Sequence, residues 1–168
     1  MFKKIFNNLS LTIYIQIWED RIKATEINSG KIYDEKPFIA IKKNAKGEET
    51  VTAVGSSVEL LKNDSGIKVI KPFSHPRTLI SNFVVAQKLL QYIIHSLSKQ
   101  KQKFLLISPL IVIHPMEKLE GGLTQIEFRA FKELALGAGS REALIYQGPE
   151  LNIYNFDYDN IKKNEKEP

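Results

Sequence analysis

Residues 123–147 read LTQIEFRAFKELALGAGSREALIYQ, a helix and a strand joined by a glycine turn. Thr124 can accept from the amide three residues on, and Glu127 can reach back to the amide of Thr124. That reciprocal pattern is a capping box, and it predicts a helix over 124–136. Gly137 or Gly139 can end the helix with a positive φ. Gly137, Ala138 and Gly139 are therefore a helix stop. They are too few for a dinucleotide fingerprint, and they follow a helix instead of opening one. Residues 142–146 then form a buried strand.

Residues 104–113 lie just before this unit and are almost continuously apolar, as expected of a central strand covered on both faces. Residues 78–98 precede them. There Ala86, Leu89, Leu90, Ile93, Ile94 and Leu97 recur at three and four residues, the stripe of an amphipathic helix. Closer to the N-terminus, residues 10–17 alternate Leu11, Ile13, Ile15 and Ile17 with Thr12, Tyr14 and Gln16, the period of a half-buried strand. Trp18, Glu19 and Asp20 turn the chain into a second strand over 21–27. Asn28, Ser29 and Gly30 are a strong turn signal. Residues 37–42 are the expected third strand, through Phe38, Ile39 and Ile41. A polar loop at 43–49, a strand at 50–54, a short helix at 56–62 and a strand at 67–70 form an insertion over about 43–71. Gly148 and Pro149 break the pattern, and residues 160–168 have the composition of a frayed polar tail.

The order is β-β-β, insertion, α-β-α-β. This is an α/β fold: one ribonuclease-H-like half with a mixed sheet and a small inserted subdomain. The expected organisation is an amphipathic segment at 1–9, a domain at 10–150 and a C-terminal extension at 151–168 with a disordered end.

The chain has 168 residues, 43% hydrophobic and 26% charged, enough for one domain with a real core. Its net charge of +5 permits contact with an anionic surface without requiring it. The absence of Cys excludes disulfides and thiolate metal sites. No run approaches the roughly 18 apolar residues of a membrane span, and the N-terminus lacks a signal peptide's pattern. A cytoplasmic protein is expected.

Several motifs, in order, resemble the first half of the rod-shape-determining bacterial actins of the MreB family. These are Ala53-Val54-Gly55, Lys71-Pro72-Phe73, the run FVVAQKLLQY at 83–92, His114-Pro115, Glu127-Phe128-Arg129-Ala130, Gly137-Ala138-Gly139-Ser140-Arg141-Glu142 and Gln147-Gly148-Pro149. The resemblance implies an actin-like domain. It also implies where a nucleotide site would be, and there this sequence departs from the family. The family's Asp-Leu-Gly-Thr phosphate loop falls at Thr12-Ile13-Tyr14-Ile15. Thr12 offers no carboxylate to organise a magnesium-bound water, and Tyr14 puts a ring where backbone should approach phosphate. The family's Gly-Val-Ile-Ala-Asp appears as Thr78-Leu79-Ile80-Ser81-Asn82. Its Glu-Glu-Pro becomes Gln147-Gly148-Pro149. The family's second half has no counterpart in this sequence, so one sheet face is expected to need another cover. No cofactor, no small-molecule substrate and no catalytic residue is expected.

A nuclease built on the same fold needs carboxylates converging from strand one, strand four and a helix. Neither strand contains one, and Glu26, Glu127 and Glu133 are better read as capping or solvated groups. His75, His95 and His114 show no ligand spacing. Lys99, Lys101 and Lys103 belong to a solvated loop, and nucleic acid is not an expected partner.

Two segments are candidate binding sites. Phe2, Ile5, Phe6 and Leu9 recur at i, i+3, i+4 and i+7, and Lys3 and Lys4 flank them. On a helix this gives an apolar face rimmed by cations, suited to a membrane interface. The alternative is a hydrophobic lead-in to the first strand. Ile153, Phe156 and Tyr158 are too apolar for a free tail. They are expected either to cover the domain or to contact a protein partner. The resulting expectation is a non-enzymatic actin-like protein, peripheral at the inner face of the cell membrane. It would bind a bacterial actin filament or envelope complex and regulate MreB-type filaments and cell shape. The alternative is an ATP-binding subunit completed by another polypeptide.

Overall fold

The alternation of Ile13, Ile15 and Ile17 with Tyr14 and Gln16 is realised as the central strand of a mixed sheet. In the computed structural model, which describes residues 11–102 and 108–168, the strand order is β3-β2-β1-β7-β8. β1 (Thr12–Ile17) pairs antiparallel with β2 (Ile22–Glu26), which pairs antiparallel with β3 (Ile32–Glu35). On its other side β1 runs parallel to β7 (Leu110–Pro115), and β7 parallel to β8 (Glu142–Ile145). Two helices, α1 (Phe83–Gln102) and α2 (Gln125–Gly137), supply the crossovers. Their apolar stripes bury Leu89, Leu90, Ile93, Phe128 and Phe131 with Ile13, Ile15, Ile17, Ile111 and Ile113 of the sheet. The capping box at Thr124 and Glu127 is formed in full. Gly139, at φ +105, carries the chain out of the helix.

The insertion is built differently from the expectation. The strand expected at 37–42 is β4 (Ile39–Lys43), and it does not complete the main sheet. It is the middle of a second sheet, ordered β5-β4-β6, with β5 (Glu49–Val54) and β6 (Ile67–Ile70). The third strand of the meander is β3, whose sequence IYDE is exposed or half-buried throughout and so carries no apolar period. Pro37, between β3 and β4, has no N–H for a ladder. The helix expected at 78–98 begins later. Ser81 and Asn82 donate their amides to Pro72 O, and the Asn82 side chain then caps the Val85 amide. The described part of the strand expected at 104–113 starts only after Pro109.

The largest difference is at the C-terminus. Residues 160–168, expected to fray, begin in a helix, α3 (Tyr158–Asn164), whose Ile161 is buried. Asp157 caps it by accepting from the Asn160 amide. The chain from Leu151 to α3 lies across the sheet face opposite α1 and α2. There Leu151, Ile153, Phe156, Tyr158 and Ile161 pack with Tyr14, Val112, Leu144, Ile27 and Tyr146. Past α3, Glu165 accepts from the backbone amide of Ile145 at 2.7 Å. β8 is an edge strand, and this carboxylate occupies an amide that an added strand would otherwise use.

Candidate functional site

Alternation along a strand sends Thr12, Tyr14 and Gln16 to the face opposite the helices. The parallel register sets Tyr14 beside Val112 and Gln16 beside His114. Tyr14 and His114 are therefore diagonal neighbours, each about 1% exposed. The Tyr14 hydroxyl and His114 Nδ1 are hydrogen-bonded at 2.6 Å, and the rings stack at 5.9 Å. A backbone hydrogen bond with Gly148 engages the imidazole as well. The amide of Leu151 donates to the Tyr14 oxygen at 3.4 Å. Tyr146 meets the His114 ring edge-on at 4.9 Å, and Phe156 lies 5.8 Å from Tyr14. Beside them, Gln16 Nε2 donates to Glu150 at 3.0 Å.

Burial sets the charge state of this cluster. It pushes the Tyr14 phenol up to about 12 and His114 below the usual imidazole range. At neutral pH the pair is thus a neutral phenol donating to a neutral imidazole. Neither group is poised as a nucleophile or an anion receptor. Any side chain at Gly148 would strike the Tyr146 ring, with a Cβ only 2.5 Å from its hydroxyl. A larger residue there would push the Tyr146 ring off His114.

A cleft of about 560 Å³ opens beside Thr12, Leu110 and Glu142, the first residues of the three parallel strands, at the opposite end from His114. It contains Arg141 and Lys162 but also Glu142, Asp157 and Asp159, and Lys162 is paired with Glu142. That balance of charge does not favour a phosphate.

The remaining candidates separate. Phe2, Lys3, Lys4, Ile5, Phe6 and Leu9 lie outside the described residues. Lys99 and Lys101 fall on the last turns of α1, and Lys103 is outside the described residues. His75 is exposed and accepts the amides of Arg77 and Thr78, and His95 is exposed on α1. Glu26 is buried, and its carboxylate accepts the amides of Asn28 and Ser29. Its role is therefore to cap a turn. Ile153, Phe156 and Tyr158 are together on the sheet face, each half-buried. The pairing of Tyr14 with His114 was not foreseen. The two lie on the same face of adjacent parallel strands, two residues apart in register. Among the described residues no His, Asp and Glu cluster could hold a metal, and no helix is long and apolar enough to cross a membrane.

A family model described as MreB/Mbl protein matches residues 21–152. The chain belongs to the MreB/Mbl family. The cell shape-determining protein MreB of Pasteurella multocida is 30% identical over 152 residues, which cover 89% of this chain but 41% of that protein. This MreB/Mbl chain thus spans about two-fifths of the length of the curated relative it matches. The crystal structure of MreB5 of Spiroplasma citri bound to ADP superposes with a TM-score of 0.63 at 20% identity, covering 83% of this chain and 39% of that one. That likeness gives the actin-like fold to the domain. A protein of Escherichia coli named YjaA, uncharacterized, is 41% identical over 69 residues, or 54% of its length. Residues 153–168, which complete the cover over Tyr14 and Val112, fall outside the family match.

Proposed function

We propose that this chain is a non-enzymatic member of its family. In this reading it binds a membrane-associated cytoskeletal or envelope assembly on the cytoplasmic side and regulates MreB-type filaments and cell shape. One observation carries the reading. At the position of the family's phosphate loop the chain has the packed Tyr14–His114 pair under residues 151–161. A nucleotide there would have to displace a buried aromatic cluster, whose ordering and burial oppose entry. An actin-like chain without that site can still act by contact. Actin filaments are head-to-tail assemblies, and a family member that does not cycle nucleotide can occupy an end without propagating it.

Co-sedimentation with the polymerising MreB of the same cell tests the reading. The expected result is that substoichiometric amounts of the chain lower the pelleted MreB or pellet with it. Unchanged pelleting together with a chain left in the supernatant would end this proposal.

Membrane contact is assigned to the N-terminal segment. Phe2→Glu with Phe6→Glu should abolish co-sedimentation with anionic vesicles, whereas removal of residues 165–168 should leave it intact. A short segment with two lysines binds weakly, so the assay needs a dense anionic surface or filament avidity. Retained binding at the same salt dependence in the double variant would assign the contact elsewhere.

A further inference from the structure

The segment over the second sheet face is joined to the domain at one chemically distinctive place. Its root, residues 148–151, rests on the Tyr14–His114 pair at both ends. Gly148 is hydrogen-bonded to the imidazole through its backbone, and the Leu151 amide donates to the phenol oxygen. The imidazole donates to the Gly148 backbone and keeps that bond when charged, whereas the Leu151 bond needs the phenol oxygen as acceptor. With the imidazole neutral and its N–H turned to Gly148, the phenol O–H points to Nδ1, which leaves its oxygen free to receive Leu151. A doubly protonated imidazole cannot accept that proton. The phenol would have to turn, and its O–H would then lack a partner among the groups packed here. The charge itself would sit at a position about 1% exposed. The facing ionisable groups are Tyr14 on β1, Tyr146 at the end of β8 and Glu150 at the root. Only Glu150 carries charge, and it is exposed and bonded to Gln16.

The rest of the segment is held more lightly. Leu151, Ile153, Phe156 and Tyr158 are only half-buried, α3 is seven residues long, and its Lys162–Glu142 pair is largely solvated. The sheet beneath is held independently by the core around α1 and α2. Local opening of such a layer costs less than global unfolding.

We propose that residues 151–164 form a releasable strap whose root is held by the neutral Tyr14–His114 pair. Protonating His114 frees the strap from the sheet while the sheet stays folded. Release uncovers Tyr14, Val112 and Leu144. The direction follows from linkage. His114 is depressed in the closed state and returns toward about 6.5 when opened to water. Closure is therefore fully favoured above about pH 6.5. It weakens as pH falls through that value, approaching tenfold per unit of pH only well below it, until the closed state itself takes up the proton.

Hydrogen exchange followed by mass spectrometry on the full chain, corrected for intrinsic rates, reads this directly. Between pH 6.5 and 5.5, protection of peptides covering 151–164 should fall by up to about fivefold, while peptides covering β1 keep theirs. Glu150→Gln should retain that response, and Tyr14→Phe with His114→Leu should remove it. An NMR titration of the His114 ring provides a readout independent of the variants, with a midpoint expected below 6.5. Strap protection that is independent of pH in the native chain would overturn the proposal. So would loss of protection in β1 together with the strap, a response abolished by Glu150→Gln, or a His114 midpoint at or above 6.5.

Discussion

Replacing Ile153, Phe156 and Tyr158 together with Ser is expected to lower stability by about 4 kcal/mol. The three side chains pack over Tyr14, Val112 and Leu144. Complete truncation of a buried Ile or Phe costs about 2–5 kcal/mol, and half-buried positions lose less each. At this chain length the melting temperature should fall by about 12 °C. Tyr154 is the internal control. It lies in the same segment but is 90% exposed, so Tyr154→Ser should leave the melt within about 0.5 kcal/mol of the parent. Thermal and urea melts of the two variants decide the point. A triple variant that melts like the parent would show that the segment adds nothing to the fold. In that event filament co-sedimentation by the same variant would show whether these residues serve a partner instead.

The parts of the fold that were legible in sequence are those where local chemistry and burial agree. Thr124 and Glu127 announce a helix start because both halves of the capping box are side chains within one turn. Ile13, Ile15 and Ile17 announce β1 because one face of it is fully buried against helices. β3 was missed because Ile32 and Asp34 are exposed, and Tyr33 and Glu35 only half-buried, so no alternation survives. α3 was missed because YDNIKKN buries only Ile161, and Tyr158 with Ile161 is too short a pattern to define a period. The apolar character of Leu151, Ile153 and Phe156 showed that this segment needs a partner surface. It could not show that the surface is the face of β1, β7 and β8. The Tyr14–His114 bond joins residues 100 apart in sequence. It depends on the register of two parallel strands, which neither strand encodes alone. The departure from the family at Thr12 and Tyr14 was legible as a change of residue types. The packed cluster that stands there instead was not.

The family pattern at the first strand can be restored by Thr12→Asp with Tyr14→Gly, and this should unfold the domain before it yields a nucleotide site. Tyr14→Gly removes a side chain about 1% exposed and leaves a void against His114 and Phe156. It also takes the hydroxyl from His114 Nδ1 and from the Leu151 amide. Cavity, lost hydrogen bonds and a glycine inside a central strand together cost about 5 kcal/mol. Thr12→Asp adds a carboxylate at a position 7% exposed, a further penalty. Tyr14→Phe separates the contributions, because it keeps the ring and should cost only about 1–2 kcal/mol. ATP with magnesium should raise the melting temperature of none of these proteins, the parent included. A site with a Kd of about 100 µM would, at about 1 mM ligand, stabilise the fold by roughly 1.4 kcal/mol. That corresponds to a rise of about 4 °C, well within reach of a thermal shift measurement. A rise of that size in the parent would mean that nucleotide binding survives beneath the strap, and the non-enzymatic reading would fall. A rise confined to the double variant would mean that the rest of the site is intact and that Thr12 and Tyr14 alone close it.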